Sequence, residues 1–222
     1  MPAKKPARPR TKPAEERRGD LLDAAQRLFL EQGVGPTTIE QITDGADVAK
    51  GTFYLYFKSK EDLRSALGER FSQQHLAHVK AEVAKRPNED WRGKLAAWAA
   101  SNVSFYLDAI RLHDVLFYEE RSPTREGLVE NPTIDYLEEI LRGGLADQAW
   151  MVEDPRLVAV FIFSGTHGVV DDAFNKERRV NRARLVEKLE RLYCAAVGLA
   201  PTAGSLRSAA PSLRAKRSNP SR

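Results

Sequence analysis

Residues that carry catalysis or bind metal ions are scarce in this sequence. Cysteine occurs once, at Cys194, so an internal disulfide is excluded and a reducing cytoplasm is the expected setting. The four histidines are scattered, and the closest pair, His75 and His78, lacks the glutamate of an H-E-x-x-H zinc motif. A phosphate-binding glycine loop is also lacking. The sequence therefore predicts no enzyme, no cofactor and no metal site.

Long hydrophobic runs and strand-like alternation are missing as well. Since no apolar stretch is long enough to span a bilayer, we expect no membrane partner. The N-terminus is basic but lacks the apolar segment of a signal peptide. The apolar fraction of 42% is enough for a core, and from Ser59 onward its spacing is that of amphipathic helices.

Positive charge is concentrated at the two ends of the chain. Residues 1–18 carry seven Lys/Arg against two Glu, and residues 200–222 carry five Lys/Arg and no acid. The remaining chain is acidic, so affinity for DNA must come from local lysines or from the tails. Residues 1–15 are predicted to be a disordered arm, which either reaches into a DNA minor groove or serves only as a solubilising leader. Residues 200–222 are interpreted as a disordered extension without function.

The most informative segment is residues 37–63, which read TTIEQITDGADVAKGTFYLYFKSKEDL. Thr38 precedes an apolar run at helical spacing, so its hydroxyl is predicted to cap that helix. Asp47 interrupts the run and tolerates the left-handed conformation of a sharp turn. Ala49 then opens a second short helix without a capping side chain. Two short helices joined by a tight turn can offer one helix to the major groove of DNA.

The second short helix is made of small and basic residues. Three lysines and no acid lie between Val48 and Lys60. Small residues allow a close approach to base edges, and Thr and Lys can bond bases or phosphates. Ser59 and Asp62 form an S-x-x-D helix start, and Lys60 in that first turn would favour a nearby phosphate. An ordinary helical hairpin with solvated lysines remains the alternative.

This segment resembles the DNA-binding signature of TetR-family transcriptional repressors over about residues 16–67. The matching residues are Thr38, Ile42, Val48, Lys50, Gly51, Thr52, Phe53, Tyr54, Tyr56, Phe57, Ser59, Lys60, Glu61 and Leu63, preceded by Leu21, Leu22, Ala25, Leu28, Phe29 and Gly33. The chain departs from the family at Asp47, where glycine is usual, and at Ala49, where serine often caps the helix. Beyond this segment the chain is similar only in length and helical character.

The resemblance implies a role for each matched position. Phe53 and Phe57 would be core residues, and Thr38 would contact phosphate. The implied DNA-binding residues are Thr38, Lys50, Gly51, Thr52, Tyr54, Tyr56 and Lys60. In the family the last two helices form the dimer, and a small molecule bound among the middle helices releases the DNA.

Helix start signals organise the rest of the chain. One helix is predicted from Ser59 to about Lys85. Another is capped by Asn88, with a bend or short break between Leu107 and His113. The later helices are predicted at about 132–149, 155–174 and 181–198, the first two opened by Asn131-Pro132 and Asp154-Pro155. We therefore expect an all-α protein of about nine helices, with a three-helix helix-turn-helix domain at 16–63 and a helical ligand-binding and dimerisation domain at 64–199.

The last two predicted helices are more apolar than a monomer requires. Leu157 to Phe163 is almost continuously hydrophobic, and Gly165 and Gly168 would allow another helix to approach closely. The final helix carries Leu185, Leu189, Leu192 and Ala196 on one face. A homodimer through about 155–174 and 181–198 would set two recognition helices about 34 Å apart on a palindromic operator. A purely internal core is the alternative.

The candidate effector site lies on the predicted middle helices. Its residues are Trp98, Asn102, Phe105, Tyr106, His113 and Phe117. Two polar groups among aromatic rings suit an apolar or aromatic small molecule, although the rings could equally be core. The leading hypothesis is a dimeric, ligand-responsive repressor in the cytoplasm. The alternative is a small-molecule-binding helical protein, or an enzyme, whose helix-turn-helix head is not used for DNA.

Overall fold

A computed structural model describes residues 13–117, 131–177 and 179–199. Within these ranges the chain is entirely helical, which confirms the predicted all-α class. The helices are α1 (Ala14–Gln32), α2 (Ile39–Gly45), α3 (Lys50–Phe53), α4 (Lys60–Val83), α5 (Trp91–Phe117), α6 (Pro132–Ala146), α7 (Pro155–Lys176) and α8 (Arg182–Ala196). The basic arm at 1–12 and the tail at 200–222 lie outside the described residues.

The chain forms two compact units. Unit 1 comprises Met1–Glu82 and Ser101–Thr133, and unit 2 comprises Val83–Ala100 and Ile134–Arg222. Unit 1 therefore contains α1 to α3, nearly all of α4 and the later part of α5. The beginning of α5, most of α6, and α7 and α8 belong to unit 2.

The core of unit 1 is built on one face of α1. Leu21 and Phe29 of that helix are at most 1% exposed and pack in one cluster with Ile42 of α2. Phe53 is fully buried in this cluster and Phe57 is 3% exposed, as the family resemblance implied. Burying such side chains contributes about 1.5–3 kcal/mol each, so this cluster holds the short helices α2 and α3 in place.

A bend or short break was predicted between Leu107 and His113, and the continuity of α5 excludes the break. The stretch after Gly93 contains neither glycine nor proline, and Val103, Tyr106 and Ile110 maintain a buried helical face across it. The predicted start at Asn88 is also corrected. The Asp90 carboxylate caps the helix by accepting a hydrogen bond from the Gly93 amide at 2.8 Å.

The caps predicted for two later helices are confirmed. The Asn131 side chain accepts from the Thr133 amide at 3.0 Å, and Asp154 accepts from the Leu157 amide at 3.0 Å. Asn181 caps α8 in the same way, through the Arg184 amide at 3.1 Å. These caps fix where the helices begin and direct their apolar faces inward.

Two tryptophans of unit 2 lie against adjacent glycines near the end of α6. The Trp91 ring lies over Gly143, and the Trp150 ring lies over Gly144, where any Cβ would overlap the indole. Trp150 Nε1 donates to the Leu141 carbonyl at 2.9 Å, and Trp91 Nε1 donates to Asp147 at 2.8 Å. Glycine is therefore required at both positions by close packing.

The helices α7 and α8 each bury one face and expose another. The buried face of α8 contains Leu185, Leu189, Tyr193 and Cys194, whereas Leu192 is 58% exposed. The apolar face predicted for this helix is therefore buried at Leu185 and Leu189 and exposed at Leu192. The Tyr193 hydroxyl is hydrogen-bonded to Thr166 of α7, which ties the two helices together inside unit 2.

An apolar stripe on α7 faces away from the described atoms of unit 2. Leu157 is 65% exposed and Phe161 is 67% exposed, and Gly165 and Gly168 continue the same helical face. A Cβ at either glycine would meet nothing within 4 Å. We call Leu157, Phe161, Gly165 and Gly168 the α7 stripe.

By length and composition alone, α7 is apolar enough to cross a membrane, which corrects the expectation that no such run exists.

Candidate nucleic-acid interface

The helix α2 begins with a complete capping box. The Thr38 hydroxyl oxygen accepts from the Gln41 amide at 3.2 Å, and the Gln41 side chain accepts from the Thr38 amide at 2.9 Å. The cap at Thr38 was predicted, whereas its partner Gln41 was not. Because the hydroxyl uses its oxygen in this cap, its proton can still be donated to an anion outside the protein.

The turn after α2 uses a left-handed residue, as predicted. Asp47 has a φ of 53°, and the Val48 amide then donates to the Thr43 carbonyl at 3.0 Å. Ala49 begins α3 from an extended conformation without a side-chain cap. The short helix is therefore held by burial of Phe53 rather than by its own end.

The outer face of α3 is open. Tyr54 is 53% exposed, Lys50 and Gly51 are exposed, and Thr52 is half-buried. A Cβ built on Gly51 would meet no atom within 4 Å, so packing within the protein does not require glycine at this position. Leu55, which follows α3, is 79% exposed and was not among the candidate residues.

An open cleft of about 450 Å³ brings four of the seven candidate DNA-binding residues together. The four are Thr38, Lys50, Tyr54 and Lys60. Glu40, Lys58 and Glu61 also line it, so the cleft carries charges of both signs. Tyr56 does not line the cleft; it is half-buried and packs against the core of unit 1.

The Lys50 ammonium forms an ion pair with the Glu40 carboxylate. The hydrogen bond from Lys50 lowers the pKa of Glu40 and raises the pKa of Lys50, so both groups are charged at neutral pH. This pair was not predicted from the sequence. The two residues are ten positions apart on different helices, and only the turn at Asp47 brings them together.

The Lys60 ammonium faces the protein's own backbone. It donates to the carbonyl oxygens of Val34 at 2.6 Å, Gly35 at 3.0 Å and Thr37 at 2.8 Å. An ammonium has three protons, and these contacts use all of them. In this geometry Lys60 stabilises the loop between α1 and α2.

Five of the six candidate effector residues belong to unit 1, where they lie in an aromatic cluster. Asn102 Oδ1 accepts a hydrogen bond from His75 Nε2 at 3.1 Å, and the His75 ring stacks on Phe105 with centroids 4.8 Å apart. His113 lies 4.7 Å from Tyr106 and 5.0 Å from Phe117, ring centroid to centroid. The sixth residue, Trp98, belongs to unit 2 and packs edge-on against Tyr193.

Phe71 and His75 of α4 were missed as members of this aromatic cluster. The Phe71 ring lies 5.3 Å from Phe105 and 5.9 Å from Phe117. Asn102 is 1% exposed, and its side-chain Nδ2 has no hydrogen-bond acceptor. Among the described residues, no three His, Cys, Asp or Glu side chains converge on a possible metal position.

The helices α1 to α3 and the cleft define a helix-turn-helix head. Longer helices follow it in the sequence. Residues 21–67 match the sequence profile described as "Bacterial regulatory proteins, tetR family". The N-terminal helix-turn-helix region therefore matches the profile of TetR-family transcriptional regulators, as the sequence signature predicted.

Named relatives agree with this assignment. The chain is 38% identical over 84 residues to the transcriptional regulator AcrR of Shigella flexneri, covering 37% of this chain and 39% of AcrR. It is 31% identical over 127 residues to the transcriptional repressor KstR2 of Mycobacterium tuberculosis, covering 55% and 58%. Both matches span less than two thirds of the relative's length.

A solved structure extends the likeness to the whole fold. The SmeT–triclosan complex, whose SmeT is the repressor of a Stenotrophomonas maltophilia multidrug efflux pump, matches with a TM-score of 0.62. That comparison covers 82% of this chain and 91% of SmeT at 20% identity. At this identity the match shows a shared fold.

Proposed function

We propose that this protein is a dimeric, ligand-responsive transcriptional regulator that binds a palindromic DNA operator and acts as a repressor. The observation that carries the proposal is the open face of α3 on a rigid core. Lys50, Gly51 and Tyr54 are exposed there, while Phe53 directly beneath them is fully buried. A helix held rigidly and left uncovered on its polar side suits insertion into a major groove.

The proposed contacts divide into two kinds. Lys50, Gly51, Thr52 and Tyr54 of the recognition helix region approach the base edges, while Thr38 donates its hydroxyl proton to a phosphate. Tyr56 and Lys60 position the interface from below. For Lys60 this replaces the phosphate contact expected from sequence, because its ammonium already bonds three carbonyl oxygens.

The proposed dimer forms through the α7 stripe together with exposed residues of α8. Leu157, Phe161 and Leu192 expose large apolar side chains that a second copy would cover. Gly165 and Gly168 would let a partner helix approach closely, because nothing occupies the space of their missing side chains. Two-fold pairing of helices in this way closes the assembly at two copies.

The proposed effector site is the aromatic cluster of unit 1. SmeT is described in complex with triclosan, a small aromatic molecule, and this chain presents stacked rings around one buried amide. The unpaired Asn102 Nδ2 would be satisfied by an oxygen acceptor on the ligand. We therefore favour an aromatic or apolar effector with one hydrogen-bond acceptor, bound preferentially by the conformation that has low DNA affinity. The protein would act in the cytoplasm, where its operator is.

A mobility-shift assay tests the central proposal. The probe is the DNA upstream of the protein's own gene, and the variants are Tyr54→Ala and Met151→Ala, the latter an exposed side chain of unit 2. Wild type and Met151→Ala are expected to shift the probe equally, and Tyr54→Ala at least about tenfold less. If folded wild-type protein shifts neither this DNA nor any fragment of its genome, the head is not used for DNA and the proposal fails.

A further inference from the structure

An acidic residue sits inside the proposed DNA-binding surface. Glu40 lies in the first turn of α2, and its carboxylate is paired with Lys50, the first residue of α3. Both side chains are more than half exposed, at 57% for Glu40 and 55% for Lys50. The two groups therefore lie where a bound duplex would meet them.

Both members of the pair are charged at neutral pH. The N-terminal end of a helix favours an anion, which supports the charge on Glu40. The hydrogen bond with Lys50 lowers the Glu40 pKa further, so acid does not release the lysine near neutral pH. Lys50 is thus held by an acceptor of the protein itself when no DNA is present.

Phosphate is a poor competitor for this lysine. Glu40 uses one of the three Lys50 protons, so a phosphate that accepts another must lie beside a negative charge. Non-specific DNA affinity depends on how many phosphates are neutralised by lysine or arginine. A lysine occupied by Glu40 contributes little to that number, whereas guanine O6 and N7 offer it two acceptors at once and carry no formal charge.

We propose that Glu40 is a specificity-determining residue that restrains Lys50 and so lowers the affinity of the recognition surface for DNA of unrelated sequence. This inference rests on the proposed DNA-binding function. A repulsive element directed at wrong partners is a general route to specificity. Here the wrong partners are duplexes that offer Lys50 only a phosphate.

The test compares two duplexes of equal length in a titrated mobility-shift assay. One is the upstream DNA, and the other has the same composition in shuffled order. The variants are Glu40→Gln, which removes the charge and keeps the shape, and Asp44→Asn, which removes another exposed carboxylate of α2. Each is measured over about 50–200 mM salt, and its folding is checked by circular dichroism.

Glu40→Gln is expected to bind the shuffled duplex about three- to tenfold more tightly, with a smaller gain on the upstream DNA. Its log–log salt slope on the shuffled duplex should steepen by about 0.9, the value for one more neutralised phosphate. Asp44→Asn should show a smaller gain. Combining Glu40→Gln with Lys50→Met should abolish the gain, since the effect acts through that lysine.

Four results would overturn the inference. They are an unchanged affinity of Glu40→Gln for shuffled DNA, an equal gain in Asp44→Asn, a gain that persists with Lys50→Met, and a loss confined to the upstream DNA. The last result would mean that Glu40 itself reads a base. If wild type binds neither duplex, the proposed function fails and this inference fails with it. That outcome differs from the four above, in which wild type binds DNA and only the inference fails.

Discussion

At the scale of single residues, the Lys60 ammonium has the most concentrated set of contacts in the helix-turn-helix region. Its three hydrogen bonds join the first turn of α4 to carbonyls of Val34, Gly35 and Thr37. Hydrogen bonds to charged groups contribute about 1.5–3 kcal/mol each before the cost of ordering the side chain. This cation therefore stabilises the loop between α1 and α2, together with the Thr37 hydroxyl, which donates to the Gly33 carbonyl at 2.7 Å.

Replacing Lys60 by methionine removes those bonds and keeps most of the side-chain volume. We expect the free energy of unfolding to fall by about 1–3 kcal/mol, because the freed carbonyls regain only water. Urea denaturation followed by circular dichroism measures the change. Lys58→Met, at an exposed lysine two residues earlier, should stay within about 0.5 kcal/mol of wild type. Equal losses in the two variants would contradict a special role for Lys60.

A second residue-scale prediction concerns His167 of α7. Burial lowers its pKa below the usual 6.5, although the Phe163 carbonyl and Asp171 act in the opposite direction. The unfolded chain thus takes up the proton more readily than the folded one. The contribution of neutral His167 to the free energy of unfolding is fully present above about pH 6.5. It is lost as the pH falls through the pKa that His167 has in the folded protein.

The His167→Leu variant lacks this titration. Between about pH 8 and pH 5.5 its melting temperature should fall less than that of wild type. Thermal melts of both proteins at matched ionic strength measure the difference. Parallel losses in the two proteins would show that His167 does not titrate with folding.

At the scale of helices, α3 has one side that packs in the core and another that is open to solvent. Its four residues would not be stable alone, and burial of Phe53 holds them in place. Gly51 on the opposite side faces open space. Since glycine disfavours a helix by about 0.5–1 kcal/mol, the protein carries an unfavourable residue that its own packing does not require.

The Gly51→Leu variant tests whether DNA binding is the reason that glycine occupies this position. Its folding stability should equal or exceed that of wild type by up to about 1 kcal/mol, while affinity for the upstream DNA falls at least about tenfold. Denaturation and mobility-shift assays give the two numbers. Gly68→Ala on α4, where a Cβ would make an ordinary 3.5 Å contact with Phe117, should gain stability without losing DNA affinity. Unimpaired DNA binding by Gly51→Leu would place the duplex elsewhere.

Helix positions could be predicted where their causes are local. Thr38, Asp154 and Asn131 were identified as caps because a capping side chain acts within three residues of itself. Phe53 and Phe57 were predicted as core, as the resemblance to the family implied. For α5 a bend or a short break was predicted, and no glycine or proline is present between Leu107 and His113 to enforce a break.

Contacts between distant segments could not be predicted. The acceptors of Lys60 are backbone atoms more than twenty residues away. Because every residue has a backbone carbonyl, the sequence does not show which ones accept. The pairing of Glu40 with Lys50 depends on the angle set by the left-handed turn at Asp47. The ring of Phe71 joins the aromatic cluster only because α4 packs beside α5 in unit 1.

At the scale of the whole molecule, the proposed dimer depends on the α7 stripe. Phe161 is 67% exposed, so replacing it should not disturb the folded protomer. Phe161→Glu would place a charge in the proposed interface, where its burial is costly. We expect a monomer by light scattering and a loss of operator affinity of at least about tenfold, because one recognition helix reads only half a palindrome.

A matched charge outside the stripe provides the control. Met151→Glu, at a residue that is 89% exposed, should leave both the molar mass and the DNA affinity unchanged. If Phe161→Glu remains dimeric, the two copies associate through another surface. If it becomes monomeric but still binds the operator as tightly as wild type, the DNA is read by single protomers.

The placement of the tryptophans determines what an optical experiment on this protein would detect. The chain has three, Trp91, Trp98 and Trp150, and all belong to unit 2. Tryptophan fluorescence therefore reports on that unit alone, and it would not change if the helix-turn-helix head unfolded. The head contains Tyr54 and Tyr56 but no indole, so a single tryptophan placed at Leu55, already 79% exposed, would give the DNA-reading end a spectroscopic signal of its own.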